Sequence, residues 1–394
     1  MSNAVVTPAA VNWSLIERRA LIASAAGIVI CAIAAVFSWP HFLRAYLVAW
    51  NFWMGISAGA LVLLMIQYLT GGAWGLLLRR ILEAAASNLL PLAILFFVLV
   101  PGLPAIYEWA RPEVASSAEM QHKSIYLNPH AFVIRAAVYF ILWAGLAGLL
   151  AAWSRRQDRD NPSPALAERC RTVSGLGLVI YGLTITFASI DWVMSLNPNW
   201  YSTIFPPLFS AGQILAGLAF SIAVLLVLAD QAPLTRTILP NQRRDLGNLL
   251  LTFVMFWAYL SFSQFMIIWS ENLPEEIPWY VSRLRGGWQW VALALVLMQF
   301  AIPFLLLLSR GAKENVKSLT AIAGLILAMR FIDLYWWIEA SFPDSMGFYW
   351  IIDLAALAAI GGIWIWLFAR RLQRSPLLPI SDRYLAEYLP EVIA

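Results

Sequence analysis

Residues 45–70 read AYLVAWNFWMGISAGALVLLMIQYLT and contain no Asp, Glu, Lys or Arg. This run is longer than the roughly 20 apolar residues that a helix needs to cross about 30 Å of hydrocarbon. It also lacks the strict alternation of apolar and polar residues that a membrane β-strand requires. Because a helix satisfies its backbone hydrogen bonds internally, the stretch predicts a transmembrane helix.

Similar apolar stretches occur on both sides of this segment along the whole chain. Of the 394 residues, 61% are hydrophobic and 12% are charged, and the mean hydropathy is +0.73. Soluble chains average about 25% charged residues, so this chain has too little charge to cover a water-facing surface. The sequence predicts an all-α membrane protein and excludes a soluble enzyme. About ten transmembrane helices are expected, at residues 20–39, 45–70, 88–110, 130–153, 171–195, 206–230, 246–270, 287–309, 316–340 and 347–370.

The loops on one side of the predicted helices are rich in basic residues. Most of the 26 Lys and Arg residues lie on the side of the N-terminus, Arg18 and Arg79 among them. The excess of Lys and Arg in cytoplasmic loops predicts that both termini lie in the cytoplasm. The net charge of +4 follows from this topology, and no basic patch indicates a nucleic-acid partner.

Two aspartates indicate a weak internal repeat. Asp191 follows Ile190 near the end of the fifth predicted helix, and Asp333 follows Ile332 in the ninth. This match predicts two parallel four-helix bundles, helices 2–5 and 6–9, with helices 1 and 10 peripheral. Chance alignment of two aspartates is the alternative. The predicted units are residues 1–44 with helix 1, 45–205 with the first bundle, 206–345 with the second bundle, and 346–394 with helix 10 and a cytoplasmic tail.

Ionisable residues inside the predicted helices are few and lie mostly in the outer half of the membrane. Each costs about 2.5–3.5 kcal/mol at the helix centre on insertion scales, so each needs a partner, water or a function. Arg330 and Asp333 share a face of the ninth helix, and we expect them to form an ion pair. The candidate proton-transfer residues are Asp191, Arg330, Asp333, Glu339 and Asp353.

These intramembrane charges have two interpretations. In the functional one, they line a hydrated cavity that opens outward and exchanges protons. In the structural one, Arg330 and Asp333 neutralise each other while the other acids reach interfacial water. Function is favoured for Asp191 and for the Arg330–Asp333 pair, and structure for Asp353, which lies close to a helix end. The inner half is predicted to be almost purely apolar, with Gln67 a main exception.

The loop before the eighth helix is rich in prolines and aromatic residues. Residues 273–280 read LPEEIPWY. This composition predicts a fixed lid at the membrane interface rather than a flexible linker. We expect the loop to form a docking edge for a periplasmic partner, made by Glu271, Glu275, Glu276 and Trp279, with Glu275 and Glu276 in solvent. A simple interfacial turn is the alternative.

The sequence contains no motif for a bound metal, haem or nucleotide. His41, His122 and His130 all lie in or beside outer loops, where no pair could bracket a haem inside a bundle. Cys31 and Cys170 belong to no Cys/His cluster that would hold zinc or iron–sulfur. A P-loop is lacking, which argues against an ATP-driven pump.

Two longer strings carry a family resemblance. Residues 187–203 read FASIDWVMSLNPNWYST, and residues 262–280 read FSQFMIIWSENLPEEIPWY. Both resemble the ActF-type integral membrane subunit of bacterial alternative complex III, which is NrfD/PsrC-like. The chain length, the ten helices and the cytoplasmic termini are also similar to that family.

The resemblance implies a subunit, in the bacterial inner membrane, of a complex that oxidises quinol and passes electrons to a cytochrome c or another acceptor. Such a complex holds iron–sulfur clusters in a periplasmic subunit and haem c in multihaem cytochrome subunits. The subunit resembled here would bind no cofactor directly. Quinol would bind at or near it, with the main quinol pocket in a sister membrane subunit. Its own role would be to support proton transfer and assembly, and the family fold implies the two four-helix bundles.

Two other functions stay open from the residues alone. A secondary transporter would also use midplane charges and a parallel repeat, although Gly/Pro-broken helices in matching positions are lacking. A purely structural membrane anchor explains the apolar interior most simply. Co-isolation with haem c and iron–sulfur proteins would favour the redox subunit, whereas a solitary protein that moves a solute would favour the transporter.

Overall fold

The computed structural model describes residues 11–159, 164–231, 234–274, 276–342 and 349–379, and the regular elements in these ranges are all helical. The first nine α-helices are α1 (Trp13–Phe37), α2 (Trp39–Thr70), α3 (Ala73–Ala86), α4 (Leu89–Phe96), α5 (Leu103–Ile106), α6 (Pro112–Ala115), α7 (Ala118–Lys123), α8 (Pro129–Arg159) and α9 (Pro164–Trp192). The others are α10 (Phe205–Val227), α11 (Leu234–Thr237), α12 (Pro240–Glu271), α13 (Ile277–Arg283), α14 (Trp288–Ala294), α15 (Ile302–Leu308), α16 (Arg310–Glu314), α17 (Val316–Glu339) and α18 (Trp350–Leu372). A π-helical segment, Leu295–Ala301, joins α14 to α15.

The long helices have the length and surface of membrane spans. Within the described residues, nine helical segments are long and apolar enough to cross a bilayer, and a bent pair makes a tenth. Their outward faces are apolar, as Ile134 and Ile141 on α8 and Phe262 on α12 show by their exposure. Such a surface is unfavourable in water and favourable against hydrocarbon. The chain is therefore a multi-pass, all-α membrane protein, which confirms the predicted class.

The third span differs from its predicted bounds of 88–110. The structure places it at Ala73–Phe96, followed after a bend of 49° by Val100–Ile106. Prolines occupy the first turns of the two short helices after the bend, where a missing N–H costs no helical hydrogen bond. Hydropathy misses α3 because Arg79, Arg80 and Glu83 lie in it, yet all three side chains are buried.

Helix α2 lies at the centre of the molecule, and the most apolar stretch of this helix is buried throughout. It packs closely on α10, so that a Cβ added at Gly59 would lie 1.9 Å from the Gln213 carbonyl oxygen. Helices α1 and α18 approach each other similarly, since a Cβ at Gly27 would lie 2.5 Å from the Ala355 carbonyl oxygen. Small residues allow such close backbone packing between membrane helices.

The helix contacts do not single out two separate bundles. Helix α2 packs against α3 and α9, α10 packs against α12 and α17, and α18 contacts both α1 and α2. The contact between α2 and α10, which crosses the expected boundary, is among the most extensive in the protein. The two-bundle arrangement, the repeat, the peripheral helices and the domain boundaries therefore stay predictions.

Polar contacts tie several helix ends together at one face of the molecule. Helices α2, α8, α10, α14 and α18 begin there, and α9, α12 and α17 end there. We call it the α13 face because α13 lies on it between α12 and α14. Arg283 of α13 donates to Ser341 Oγ, just after α17, at 2.7 Å. Asn197, just after α9, donates to the same oxygen at 2.8 Å.

Candidate functional site

Asp191, in the last turn of α9, is held by Arg135 of α8. Arg135 Nη2 lies 2.6 Å from Asp191 Oδ1, and Arg135 Nε lies 2.9 Å from Oδ2. The Tyr139 hydroxyl donates to Oδ2 at 2.9 Å. The Asp191 side chain is 1% exposed, whereas that of Arg135 is 19% exposed. Bidentate pairs of this kind are the strong form of the ion pair, and here the arginine connects a buried carboxylate to the surface.

Sequence reasoning placed Arg135 inside a helix but did not pair it with Asp191. The two residues lie on different helices, so no local spacing indicates their contact. Tyr126 holds the other side of the guanidinium, whose carbon lies 3.8 Å from the Tyr126 ring centroid. Arg135 Nη1 also donates to the Tyr126 carbonyl oxygen at 2.9 Å. Arg135 is therefore shared between the carboxylate and an aromatic residue nearer the loop.

An aromatic cluster fixes the end of α9 behind Asp191. The Trp192 ring meets the Trp50 ring edge-on with centroids 4.9 Å apart, and it stacks on Phe140 at 5.8 Å. The Tyr107 hydroxyl donates to the Trp192 carbonyl oxygen at 3.0 Å. Since Trp192 follows Asp191 directly, these contacts set the position from which the carboxylate reaches α8.

The expected contact between Arg330 and Asp333 is present in α17. Arg330 Nη1 donates to Asp333 Oδ2, and the two side chains are 3% and 2% exposed. Gly212 of α10 makes room for the guanidinium, because a Cβ there would lie 2.0 Å from Arg330 Nη2. The Trp337 ring centroid lies 5.6 Å from the guanidinium carbon. The pair is thus enclosed by helices rather than open to a cavity on the outside.

Glu339 and Asp353 are two further buried acids at the α13 face. Glu339 ends α17, Asp353 lies in the first turn of α18, and they are 6% and 5% exposed. Glu339 interacts electrostatically with both Asp353 and Arg44 of α2. Asp353, which we expected to reach interfacial water, is a buried group because α18 packs against α2. The five predicted proton-transfer residues therefore divide into Asp191 alone, the Arg330–Asp333 pair, and Glu339 with Asp353.

The predicted docking residues are only partly at the surface. Glu271 is exposed, Glu276 and Trp279 are buried, and Glu275 lies outside the described residues. Trp279 stacks on Trp200 with ring centroids 4.3 Å apart and 10° between the planes. The expectation that Glu276 is solvated is wrong, because α13 lies against the helix ends instead of projecting from them.

Arg283, which sequence reasoning did not select, fixes α13 in place. Its guanidinium donates to the carbonyl oxygens of Trp279 at 3.0 Å and Trp337 at 2.6 Å. It also lies 3.7 Å from the Trp279 ring centroid. Burial lowers the pKa of Arg283 to about 9, and these acceptors and the ring replace part of its lost hydration. Arg283 therefore anchors α13 against the end of α17.

A cleft of about 540 Å³ opens beside α13. Trp200, Trp279 and Trp288 form part of its wall, together with Glu108 and Arg285. An aromatic wall with a few charged groups is typical of a surface that binds a ligand or a partner segment.

Another group of buried polar side chains lies between α3 and α8, toward the face of the molecule opposite the α13 face. Arg80 donates to Glu83 at 2.9 Å, to Asp158 at 2.5 Å and to Ser154 at 2.9 Å. The Arg80 and Glu83 side chains are 1% and 7% exposed. The interior toward this face is therefore less apolar than the sequence predicts for the half of the helices on the side of the N-terminus. The sequence does contain a sign of this pair, because Glu83 follows Arg80 by three residues and the two charges can neutralise each other within one helix.

No metal-binding group is found in the described part of the chain, where no three His, Cys, Asp or Glu side chains lie close enough to hold an ion. Both cysteines are buried and neither forms a disulfide. Comparison with known protein families and with curated proteins finds no match to this chain.

Proposed function

We propose that this chain is a cofactor-free membrane subunit of a complex that oxidises quinol, and that its buried carboxylates transfer protons. The supporting observation is that buried acids concentrate at the α13 face. Buried ionisable groups at membrane depth are costly and are usually retained for function. The four acids that we assign to proton transfer are Asp191, Asp333, Glu339 and Asp353, and Glu276 beside α13 is a fifth buried acid on this face.

In this proposal the α13 face points to the periplasm of a bacterial inner membrane, and both termini lie in the cytoplasm. The distribution of Lys and Arg supports this orientation. A sister quinol-binding subunit, an iron–sulfur subunit and multihaem c-type cytochromes would then assemble around the chain, the last two from the periplasm. The cleft beside α13, with Glu108 and Arg285 in its wall, offers a surface for such a partner.

Asp191 is the acid with the clearest connection to that surface. Its carboxylate accepts hydrogen bonds from Arg135 and Tyr139, and the Arg135 side chain is partly exposed. For the carboxyl to take up a proton, the guanidinium must weaken its hold. Tyr126 offers Arg135 a carbonyl acceptor and an aromatic face away from the carboxylate. A small movement of Arg135 would therefore switch Asp191 between paired and protonatable.

The cluster around Arg80 supports a role in proton movement across the membrane. A path needs polar groups near both faces, and the sequence alone suggested few on the inner side. Arg80 and Glu83 supply buried charges there, and Asp158 supplies a half-buried one. The proposal therefore has candidate groups at both ends of the helices.

Purification tests the assignment to a redox complex. The tagged chain, extracted in mild detergent, should co-isolate with proteins that carry haem c and iron–sulfur clusters, detected by absorbance and mass spectrometry. Quinol added to that preparation should reduce the haem. A chain that elutes alone and moves a solute after reconstitution would contradict the proposal and support a transporter.

A structural anchor is the second candidate, and one observation favours it. Asp191 and Asp333 each have their own guanidinium, in Arg135 and Arg330. An ion pair carries no net charge, so it can be tolerated at membrane depth without exchanging protons. Asparagine variants separate the two functions, because an anchor loses nothing in turnover per assembled complex.

A further inference from the structure

Three buried polar side chains from three helices meet around a small internal cavity. Asn51 of α2, Gln213 of α10 and Arg330 of α17 all line it, and Gly55 and Gly212 form part of its wall. The three polar side chains are 1%, 4% and 2% exposed. The helices therefore shield these three side chains from bulk water.

Each of these side chains has hydrogen-bonding capacity that the described residues do not fill. Asn51 Nδ2 donates to the Leu47 carbonyl oxygen at 2.9 Å, but Asn51 Oδ1 has no partner there. Arg330 Nη1 donates to Asp333, but Arg330 Nε is likewise without one. Gln213 Nε2 has only a weak contact, with the Met54 sulfur at 3.9 Å.

Buried polar atoms without a partner are rare, and ordered water often supplies the missing bond. A buried water needs polar partners and a space of at least about 10–15 Å³, and it typically makes about three hydrogen bonds. The cavity offers about 10 Å³ for the centre of a water molecule, which is room for one. The residues that carry these two N–H donors and this carbonyl acceptor all line the cavity. Together they would use both lone pairs and one of the two protons of a water molecule, which makes the usual three hydrogen bonds.

We propose that this cavity binds one internal water molecule that joins α2, α10 and α17. The water accepts from Arg330 Nε and Gln213 Nε2 and donates to Asn51 Oδ1. It extends the Arg330–Asp333 pair to Gln213, whose Oε1 already accepts from the Tyr181 hydroxyl at 2.7 Å. A hydrogen-bonded connection then runs from α17 through α10 to α9. This inference does not rest on the proposed function.

Two fully buried methionines on α2 allow a direct test by X-ray radiolytic labelling. Radicals formed from a bound water oxidise the side chains next to it, whereas a dry interior is not labelled. Met54 contacts Gln213 beside the cavity, and Met65 lies elsewhere on the same helix; both are 0% exposed. In the full chain reconstituted in lipid nanodiscs, Met54 should be oxidised several-fold faster than Met65.

Gly55→Ala is the variant that removes the water with least damage. A Cβ at Gly55 would lie 3.4 Å from Gln213 Cγ, which is ordinary contact, and it would occupy the cavity. Met54 oxidation should then fall to the rate of Met65. Gly145→Ala is the matched control, because a Cβ there meets nothing within 4 Å, and it should change neither rate.

Asn51→Leu provides a second variant that removes the acceptor at similar side-chain size, and it should also bring Met54 oxidation down to the Met65 rate. Equal oxidation of Met54 and Met65 in the wild type would overturn the proposal. A difference that persists in both Gly55→Ala and Asn51→Leu would overturn it as well. An experimental density map that shows no water between Asn51 and Arg330, while resolving other buried waters, would do the same.

Discussion

Removing Arg330 should destabilise the protein far more than removing Arg330 and Asp333 together. The two side chains are 3% and 2% exposed, so Arg330→Ala leaves the Asp333 carboxylate without its ion-pair partner in a medium of low dielectric constant. Breaking a buried pair in this way costs about 3–5 kcal/mol, roughly two to four orders of magnitude in the unfolding equilibrium constant. Arg330→Ala with Asp333→Ala removes both charges and leaves only a packing defect.

The measurement is a double-mutant cycle on the free energy of unfolding in bicelles, together with the amount of chain that assembles in the membrane. The matched control is the surface pair of Arg310 and Glu314, whose side chains are 74% and 27% exposed, with 2.7 Å between Arg310 Nε and Glu314 Oε1. Removing one or both of those residues should change little, because surface pairs contribute little. If the double variant at 330 and 333 is no more stable than Arg330→Ala, the buried pair does not stabilise this fold as we describe.

Three further outcomes follow from the geometry. Gly212→Ala should lower stability, though by less than Arg330→Ala, because its Cβ would lie 2.0 Å from Arg330 Nη2 and would displace the guanidinium without removing it. Thermal unfolding equal to wild type would contradict this. Arg283→Leu should release α13 and make residues 273–286 sensitive to protease while the spans stay protected, since its bonds to Trp337 and Ser341 are lost; an uncut loop would show that the anchor is elsewhere. Arg80→Met should lower the free energy of unfolding by about 3–5 kcal/mol, because it leaves Glu83 and Asp158 without their ion-pair partner. The control is Arg155→Met, which changes an exposed residue and should have almost no effect.

Contacts within one helix could be predicted from sequence. Arg330 and Asp333 are three residues apart, so helical geometry alone brings them together. The apolar runs likewise predict spans, because the bilayer demands about the same length from each. These parts of the fold depend on local periodicity, which a single sequence displays.

Contacts between helices could not be predicted in the same way. Arg135 and Asp191 meet because α8 and α9 pack side by side, and no spacing in the sequence encodes that neighbour. Helix α3 was missed for a related reason: hydropathy counts Arg80 as exposed charge, whereas Asp158 from α8 helps to neutralise it. Glu276 was expected in solvent because local composition cannot show that α13 folds back against the helix ends.

Quinol-dependent turnover and proton release of the isolated complex, per haem, test the proposed proton role most directly. Asp191→Asn and Asp333→Asn keep the shape and much of the hydrogen bonding but cannot cycle a proton. Each should leave the complex assembled with its haems and lower turnover or proton release, whereas Glu314→Gln, at a surface pair, should not. Normal turnover and proton release per haem in both asparagine variants would contradict the proton-transfer role and leave the chain as a structural anchor.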